Sequence, residues 1–229
     1  MEADLPQRRE RSQAARKENF APAQVIDSAL PDALVRRARA AVSRLGRERF
    51  RMSYFTTFWL PRRAEPANVL EEAALALARH ARVECAGIEW WIGRTYTTRV
   101  PIGFHFDEDV KGRRRRHPLI SSVFFFNAVR GGQLAITDAT PGRAPTRLQT
   151  VKPRRNRYTI FKGNLLHGVL DRDGRTPGRA LPGPRGRLRV TLVVNYWEAP
   201  PEGVPLFSES RAYRALSPRN RGPRRPQAG

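Results

Sequence analysis

The chain has few of the features that mark secreted and membrane proteins. It contains one cysteine, Cys85, so no disulfide can form within the chain. No run of about eighteen apolar residues occurs, which excludes a hydrophobic helix that crosses a membrane. Residues 1–17 are charged and lack the apolar core of a secretory signal. We therefore expect a protein of the reducing cytoplasm, with no membrane partner.

Lysine is also rare, and arginine supplies most of the positive charge. Lysine occurs only at positions 17, 111, 152 and 162, although the chain has 43 basic residues against 21 acidic ones and a net charge of +22. A GC-rich coding sequence can replace lysine by arginine, but it does not explain the excess of bases over acids. A field this positive attracts polyanions or acidic substrates, at least non-specifically.

Length and composition predict one folded domain between two basic ends. The 229 residues, 40% of them hydrophobic, suffice for one buried core. Residues 1–18 are polar and arginine-rich and are predicted to be disordered. Residues 19–207 form the predicted domain, and residues 208–229 read as a flexible tail rich in proline and arginine.

The hydrophobic pattern predicts a mainly β fold with flanking helices. Apolar residues at helical spacing predict helices over about 31–45 and 66–82, and strands are expected at 21–27 and 52–60. After residue 88 the pattern is β, with short apolar runs at 88–92, 103–106, 119–127, 133–137, 147–151, 158–161 and 189–197. This order favours a double-stranded β-helix (a cupin-like jelly roll) with the N-terminal helices packed on one sheet.

The four histidines differ in their surroundings. His80 lies in a predicted helix and His117 in a polar loop, so we interpret the first as structural and the second as solvated. His105 and His167 lie among apolar residues at strand–loop junctions, and Asp107 follows His105 by two positions. Residues i and i+2 of a strand project to one side. Two histidines and one carboxylate on one face of a metal are typical of non-haem Fe(II) oxygenases.

Four features in order give the chain a family resemblance. Over about residues 20–198 it resembles the 2-oxoglutarate and Fe(II)-dependent dioxygenases, particularly their prolyl-hydroxylase-like branch. The resemblance is carried by the His105-x-Asp107 pair with His167, by Phe124–Asn127 followed by Gly131-Gly132, by Val151-Lys152-Pro153 before an aromatic strand, and by Arg189-Val190-Thr191.

The resemblance implies a role for each residue of the site. His105, Asp107 and His167 would bind Fe(II) and form the catalytic centre. Arg189 would bind the distal carboxylate of 2-oxoglutarate through its guanidinium fork, with a hydrogen bond from Thr191. Arg187 is the rival anchor, since it faces the same side of the predicted strand. We favour Arg189 because apolar residues 192–194 follow it, as in a buried strand.

Three segments leave alternatives open. Many relatives hold 2-oxoglutarate with a tyrosine where this chain has Phe124–Phe126, so we take Tyr96 and Ser121 as candidates for that contact. The long loop 171–186 either covers the metal as a lid or simply protrudes. The run Arg113–Arg116 either lines the entrance and recruits an anionic substrate or is a solvated loop.

The implied activity is a hydroxylation coupled to the oxidative decarboxylation of 2-oxoglutarate to succinate and CO2, with O2 as the other cosubstrate. The carboxylate of Asp107 favours hydroxylation, because halogenating relatives carry a small residue there. Two alternatives are a Zn-dependent hydrolase that uses the same triad and a basic nucleic-acid-binding protein. The primary substrate and the oligomeric state are not indicated by the sequence.

Overall fold

Two antiparallel β-sheets and two helices make up the described part of the chain. The computed structural model describes residues 22–46, 56–100, 103–109, 111, 115–177, 180–181, 183 and 187–217. The predicted N-terminal segment 1–18 lies outside these residues. The strands are β1 (Ala23–Asp27), β2 (Phe58–Pro61), β3 (Gly87–Tyr96), β4 (Ile120–Phe125), β5 (Leu134–Thr137), β6 (Leu148–Val151), β7 (Arg157–Lys162), β8 (His167–Val169) and β9 (Leu188–Trp197).

The strands divide into a large and a small sheet. The large sheet has the order β1-β7-β4-β9-β3-β2, and the small sheet has the order β6-β5-β8. In the large sheet, the longest pairing joins β3 and β9 and runs from Gly87 opposite Trp197 to Tyr96 opposite Leu188. Side chains of both sheets meet between them, where Trp91, Val123, Phe125 and Val193 of the large sheet pack with Leu134, Ile136 and Val151 of the small one. This interior holds the candidate site.

The two helices cover the opposite face of the large sheet. Helix α1 (Asp32–Arg44) buries Leu34, Val35, Ala38, Ala41 and Val42, as its helical spacing predicts. Helix α2 (Val69–Ala81) begins at Asn68, whose side chain accepts hydrogen bonds from the backbone N–H groups of Leu70 and Glu71. Both helices pack against the outer residues of β3 and β9, including Trp90, Leu192 and Tyr196. The large sheet is therefore buried on both faces.

The predicted fold class is confirmed: the described chain is mainly β, with two antiparallel sheets and flanking helices. Two local predictions differ from the structure. Residues 103–106 form no regular strand, only an isolated bridge between His105 and His167. The three-residue strand β8 was not predicted as a strand, because a segment this short has no alternating pattern. None of the described helices is long and apolar enough to cross a membrane.

Core packing continues beyond the predicted boundary at residue 207. Two short 3-10 turns follow it, Phe207–Glu209 and Arg214–Leu216. Phe207, Tyr213 and Leu216 are buried in the core beneath the helices, and the Phe207 ring lies 5.3 Å from that of Phe58. A composition rich in arginine and proline obscured these apolar side chains. The ordered domain therefore extends at least to Ser217, and residues 218–229 lie outside the described chain.

Candidate metal centre

His105, Asp107 and His167 converge at one end of the space between the sheets. One ligand atom from each lies within 4.8 Å of the other two. His105 Nε2 is 3.7 Å from Asp107 Oδ1, and His167 Nε2 is 3.5 Å from Asp107 Oδ2. Donors at right angles around a metal, with bonds of about 2.1 Å, lie about 3 Å apart. The three side chains therefore need only a small shift to share one ion.

Both histidines are oriented in the same way by the backbone. The Nδ1 of His105 lies 3.0 Å from the carbonyl of Gly103, and the Nδ1 of His167 lies 2.9 Å from that of Leu165. A proton donated from Nδ1 to a carbonyl leaves Nε2 with its lone pair, which is the tautomer a metal needs. The backbones of His105 and His167 also exchange two hydrogen bonds, of 2.8 and 3.0 Å. These bonds hold the two imidazoles side by side.

Asp107 is a buried carboxylate that stays ionised. Ser121 donates a hydrogen bond of 2.6 Å to Asp107 Oδ2. Burial opposes ionisation, but the charges and hydrogen bonds of His167, His105 and Ser121 hold the pKa of Asp107 well below its usual range. Burial in turn lowers the pKa of His167 and so favours its neutral imidazole. Burial also disfavours the charged form of His105, but the hydrogen bond and the charge of Asp107 raise the pKa of His105. A buried carboxylate beside two imidazoles fits a divalent cation, and this donor set fits Fe(II).

The segment that carries Asp107 is held by contacts that the sequence did not indicate. The Nδ1 of His117 is 2.8 Å from the backbone carbonyl of Asp107, so His117 is not merely solvated. Asp109 accepts hydrogen bonds from Arg116, at 2.7 Å, and from the backbone N–H of Glu202. No strand or helix periodicity indicates these contacts, because they lie in an irregular segment and one partner, Glu202, comes from a distant loop.

A buried guanidinium shares a cavity with the two histidines. Arg189 is 2% exposed, and it lines the same cavity as His105, His167 and Trp91. Its Nε donates to the carbonyl of Gly132 at 2.9 Å. Arg187, the rival anchor, is exposed just before β9. Of these two arginines, only Arg189 therefore projects into the interior.

The glycine pair before β5 makes room for this arginine. Gly132 has a φ of +64°, and a Cβ there would lie 2.9 Å from the Cδ of Arg189. Gly131 has a φ of +73°, and a Cβ there would lie 2.4 Å from the Cα of Arg172. Glycine adopts such dihedral angles without strain. The Gly131-Gly132 motif thus has a structural explanation in the close packing around Arg189.

Two hydrogen-bonding groups near Arg189 have no partner among the described residues. The hydroxyl of Thr191 and the indole Nε1 of Trp91 are both buried and unpaired in this part of the chain. Thr191 lies two residues from Arg189 on β9, so the two side chains share a face. The sequence singled out Thr191, but it did not indicate Trp91 as a polar contact.

The two other candidates for the 2-oxoglutarate contact lie in different places. Tyr96 pairs with Leu188 and alternates with Thr95, which pairs with Arg189, so it lies on the helix-covered face. Ser121 does face the interior, but its hydroxyl binds Asp107 instead of lying beside Arg189. Whether Tyr96 and Arg189 lie on the same face of the sheet depends on the register of β3 against β9. The sequence alone does not specify this register.

The basic run and the long loop are described only in part. Arg115 lies 3.5 Å from Glu108, and Arg116 lies 2.7 Å from Asp109, while residues 112–114 lie outside the described chain. In loop 171–186 the backbone N–H of Arg172 binds the carbonyl of Thr97, and that of Leu181 binds the carbonyl of Thr98. Substrate recruitment by Arg113–Arg116 remains a prediction.

Solved structures with a similar architecture are known. HygX from Streptomyces hygroscopicus, solved with nickel and 2-oxoglutarate bound, is 15% identical, with a TM-score of 0.51 over 82% of this chain and 86% of HygX. The chain shares the fold of HygX. The iron-bound structure of HygX matches equally well, with the same identity, TM-score and coverage. The resemblance drawn from the motifs is thus confirmed at the level of the fold.

Two further structures are similar, with lower TM-scores. A prolyl-4-hydroxylase from Pseudomonas putida is 20% identical, with a TM-score of 0.47 over 82% of this chain and 94% of that one. AviO1 from Streptomyces viridochromogenes is 17% identical, with a TM-score of 0.48 over 89% of this chain and all of AviO1. No protein-family model and no curated protein sequence matches the chain.

Proposed function

We propose that the chain is an Fe(II)- and 2-oxoglutarate-dependent hydroxylase of a second, unidentified substrate. One observation carries the proposal: the His105/His167 pair and the buried guanidinium of Arg189 line the same cavity. Hydrolysis at a metal does not require a buried site for a diacid beside it. A cosubstrate that binds a metal at one end and carries a carboxylate at the other explains both features.

Different side chains would bind the two ends of the cosubstrate. His105 Nε2, His167 Nε2 and the carboxylate of Asp107 would hold Fe(II), which supplies the O2-dependent oxidation of 2-oxoglutarate to succinate and CO2 coupled to hydroxylation. Arg189 would bind the distal carboxylate in a low-dielectric interior, where a charge-assisted hydrogen bond is strong. The unpaired Thr191 hydroxyl and Trp91 N–H would complete its hydrogen bonds.

The first prediction tests the triad. Succinate formation that depends on Fe(II) should fall at least about 100-fold in each of the variants His105→Ala, Asp107→Ala and His167→Ala. Loss of a residue that only orients a metal ligand already lowers metal affinity or activity about 10–100-fold, and loss of the ligand itself should cost more. Calorimetric titration with Fe(II) under exclusion of oxygen should show the same loss as weaker metal binding.

His80→Gln is the matched control for the triad variants. His80 lies in α2 and contacts the carbonyl of Ala29, away from the cavity, so this variant should retain both activity and metal binding. Full succinate formation by Asp107→Ala would contradict the assignment. A Zn²⁺-dependent hydrolysis that proceeds without 2-oxoglutarate would instead favour the hydrolase alternative.

A further inference from the structure

Carboxylates collect in a cleft beside the candidate metal centre, although the chain as a whole is strongly basic. The cleft has a volume of about 350 Å³, and its lining includes Glu89, Glu108, Asp109, Lys111 and Glu202. Arg115 and Arg116 pair with Glu108 and Asp109. Among the described residues, no cation lies within ion-pair distance of Glu89 or Glu202. The cleft therefore has two carboxylates that lack a described cationic partner and one lysine.

Glu89 is a partly buried member of this group, on an interior position of β3. Its carboxylate accepts a hydrogen bond of 3.1 Å from the indole Nε1 of Trp197. Burial raises the pKa of Glu89 to about 7, and the negative charges of Asp107 and Asp109 add to the rise. A positively charged group bound beside Glu89 would relieve both effects.

A second, independent feature adjoins Glu89. Asn195 lies directly opposite it in the β3–β9 pairing, so the two side chains project from the same face of the sheet. Asn195 is fully buried, and neither its amide nitrogen nor its amide oxygen has a hydrogen-bond partner among the described residues. A buried amide without partners is costly to a fold and points to a ligand that supplies them.

Glu89 and Asn195 lie in one row across the strands with Ser121, which contacts the metal centre. The register of β4 against β9 puts Ile120 opposite Tyr196 and Val123 opposite Val193, which places Ser121 opposite Asn195. Ser121 in turn binds Asp107. Two strand spacings of about 4.8 Å separate the backbone of Glu89 from that of Ser121. A molecule bound at Glu89 and Asn195 would thus reach the ligands within about 10 Å.

We propose that the primary substrate carries a protonated amine that binds Glu89 and a hydroxyl or amide group that binds Asn195. The proposal rests on the proposed function and names the substrate class for that site. A hydroxyl or an amide both donates and accepts hydrogen bonds, which is what the unpaired Asn195 amide requires. The amine would lie several bonds from the carbon that is oxidised. This substrate class differs from the anionic one that the run Arg113–Arg116 suggested.

Two small probes with one carbon skeleton test the charge preference. 1,3-Diamino-2-propanol carries ammonium groups and a hydroxyl, and glycerol carries hydroxyls alone. Calorimetric titration of the full-length protein without added metal should show at least tenfold tighter binding of the diamine. In Glu89→Gln this preference should vanish, while Glu84→Gln, an exposed position after α2, should retain it. Equal binding of the two probes, or an unchanged preference in Glu89→Gln, would overturn the proposal.

Asn195→Leu distinguishes ligand binding from a structural role. Leucine keeps the branched skeleton of asparagine and removes both polar atoms, so the thermal midpoint should stay the same or rise while diamine binding weakens at least threefold. A lower midpoint with unchanged binding would mean that the amide serves the fold, and would overturn its role here. Succinate formation by the wild-type protein is measured in parallel, because its absence would defeat the proposed function while the titration still decides the amine site.

Discussion

Arg189 illustrates how one side chain can define a binding end of a cavity. It is nearly inaccessible to solvent, it donates to the carbonyl of Gly132, and its guanidinium carbon lies 5.1 Å from the centre of the Phe125 ring. The carbonyl and the ring fix the guanidinium plane, since Arg binds through a planar fork. The cavity shared with His105 and His167 then lies beside a preoriented cation.

The prediction at this scale concerns the affinity for 2-oxoglutarate. Arg189→Ala should raise the KM for 2-oxoglutarate at least tenfold, because truncating one partner of a buried charge pair costs about 2–5 kcal/mol. Fe(II) binding, measured by calorimetry, should change much less. Arg187→Ala is the matched control, since Arg187 is exposed. If Arg187→Ala raises this KM and Arg189→Ala does not, the anchor has been assigned to the wrong residue.

At the scale of elements, the site depends on irregular segments as much as on strands. Asp107 lies outside any regular strand, yet Ser121 of β4 and His117 hold its carboxylate and its carbonyl. The C-terminal turns also contribute side chains to the core, on the other side of the large sheet. Tyr213 is fully buried, and its ring lies 5.9 Å from that of Phe58. The segment after residue 207 is thus part of the core.

The prediction for this element concerns stability. Leu216→Ala should lower the free energy of unfolding by about 2–5 kcal/mol, because it removes a buried aliphatic side chain and leaves a cavity. Chemical denaturation followed by circular dichroism measures the change. Arg214→Ala, an exposed position in the same turn, should change the stability by no more than about 0.5 kcal/mol. Equal, small effects of both substitutions would show that the C-terminal turns contribute little to the core.

At the scale of the whole molecule, charge is distributed unevenly. Several arginines form ion pairs, as Arg154 and Arg157 do with Asp27 and Arg155 does with Asp32. The net charge of +22 nevertheless means that the 43 basic residues outnumber the 21 acidic ones about two to one. The carboxylates beside the metal centre are therefore a local exception. The strongly positive charge of the whole chain attracts polyanions over long range and without sequence preference.

The corresponding prediction separates this background from specific nucleic-acid binding. Affinity for a short DNA duplex should fall more than about tenfold between about 50 and 200 mM salt, because binding to phosphates releases counterions. It should be independent of base sequence and unchanged in Asp107→Ala. Fluorescence anisotropy measures all three properties. Sequence-selective binding that persists at the higher salt would instead support the nucleic-acid-binding alternative.

The fold class, the three candidate ligands and the candidate arginine anchor could all be predicted from the sequence. These depend on local patterns: alternation within β9 sets the shared face of Arg189 and Thr191, and the apolar surroundings of His105 and His167 indicate burial. Which groups meet across strands depends instead on how the strands pair. The register of β3 against β9 puts Tyr96 on the helix-covered face and Asn195 beside Glu89. Ser121 of β4 and His117 orient Asp107. No local periodicity encodes such contacts, because they form only when an irregular segment folds back against a strand.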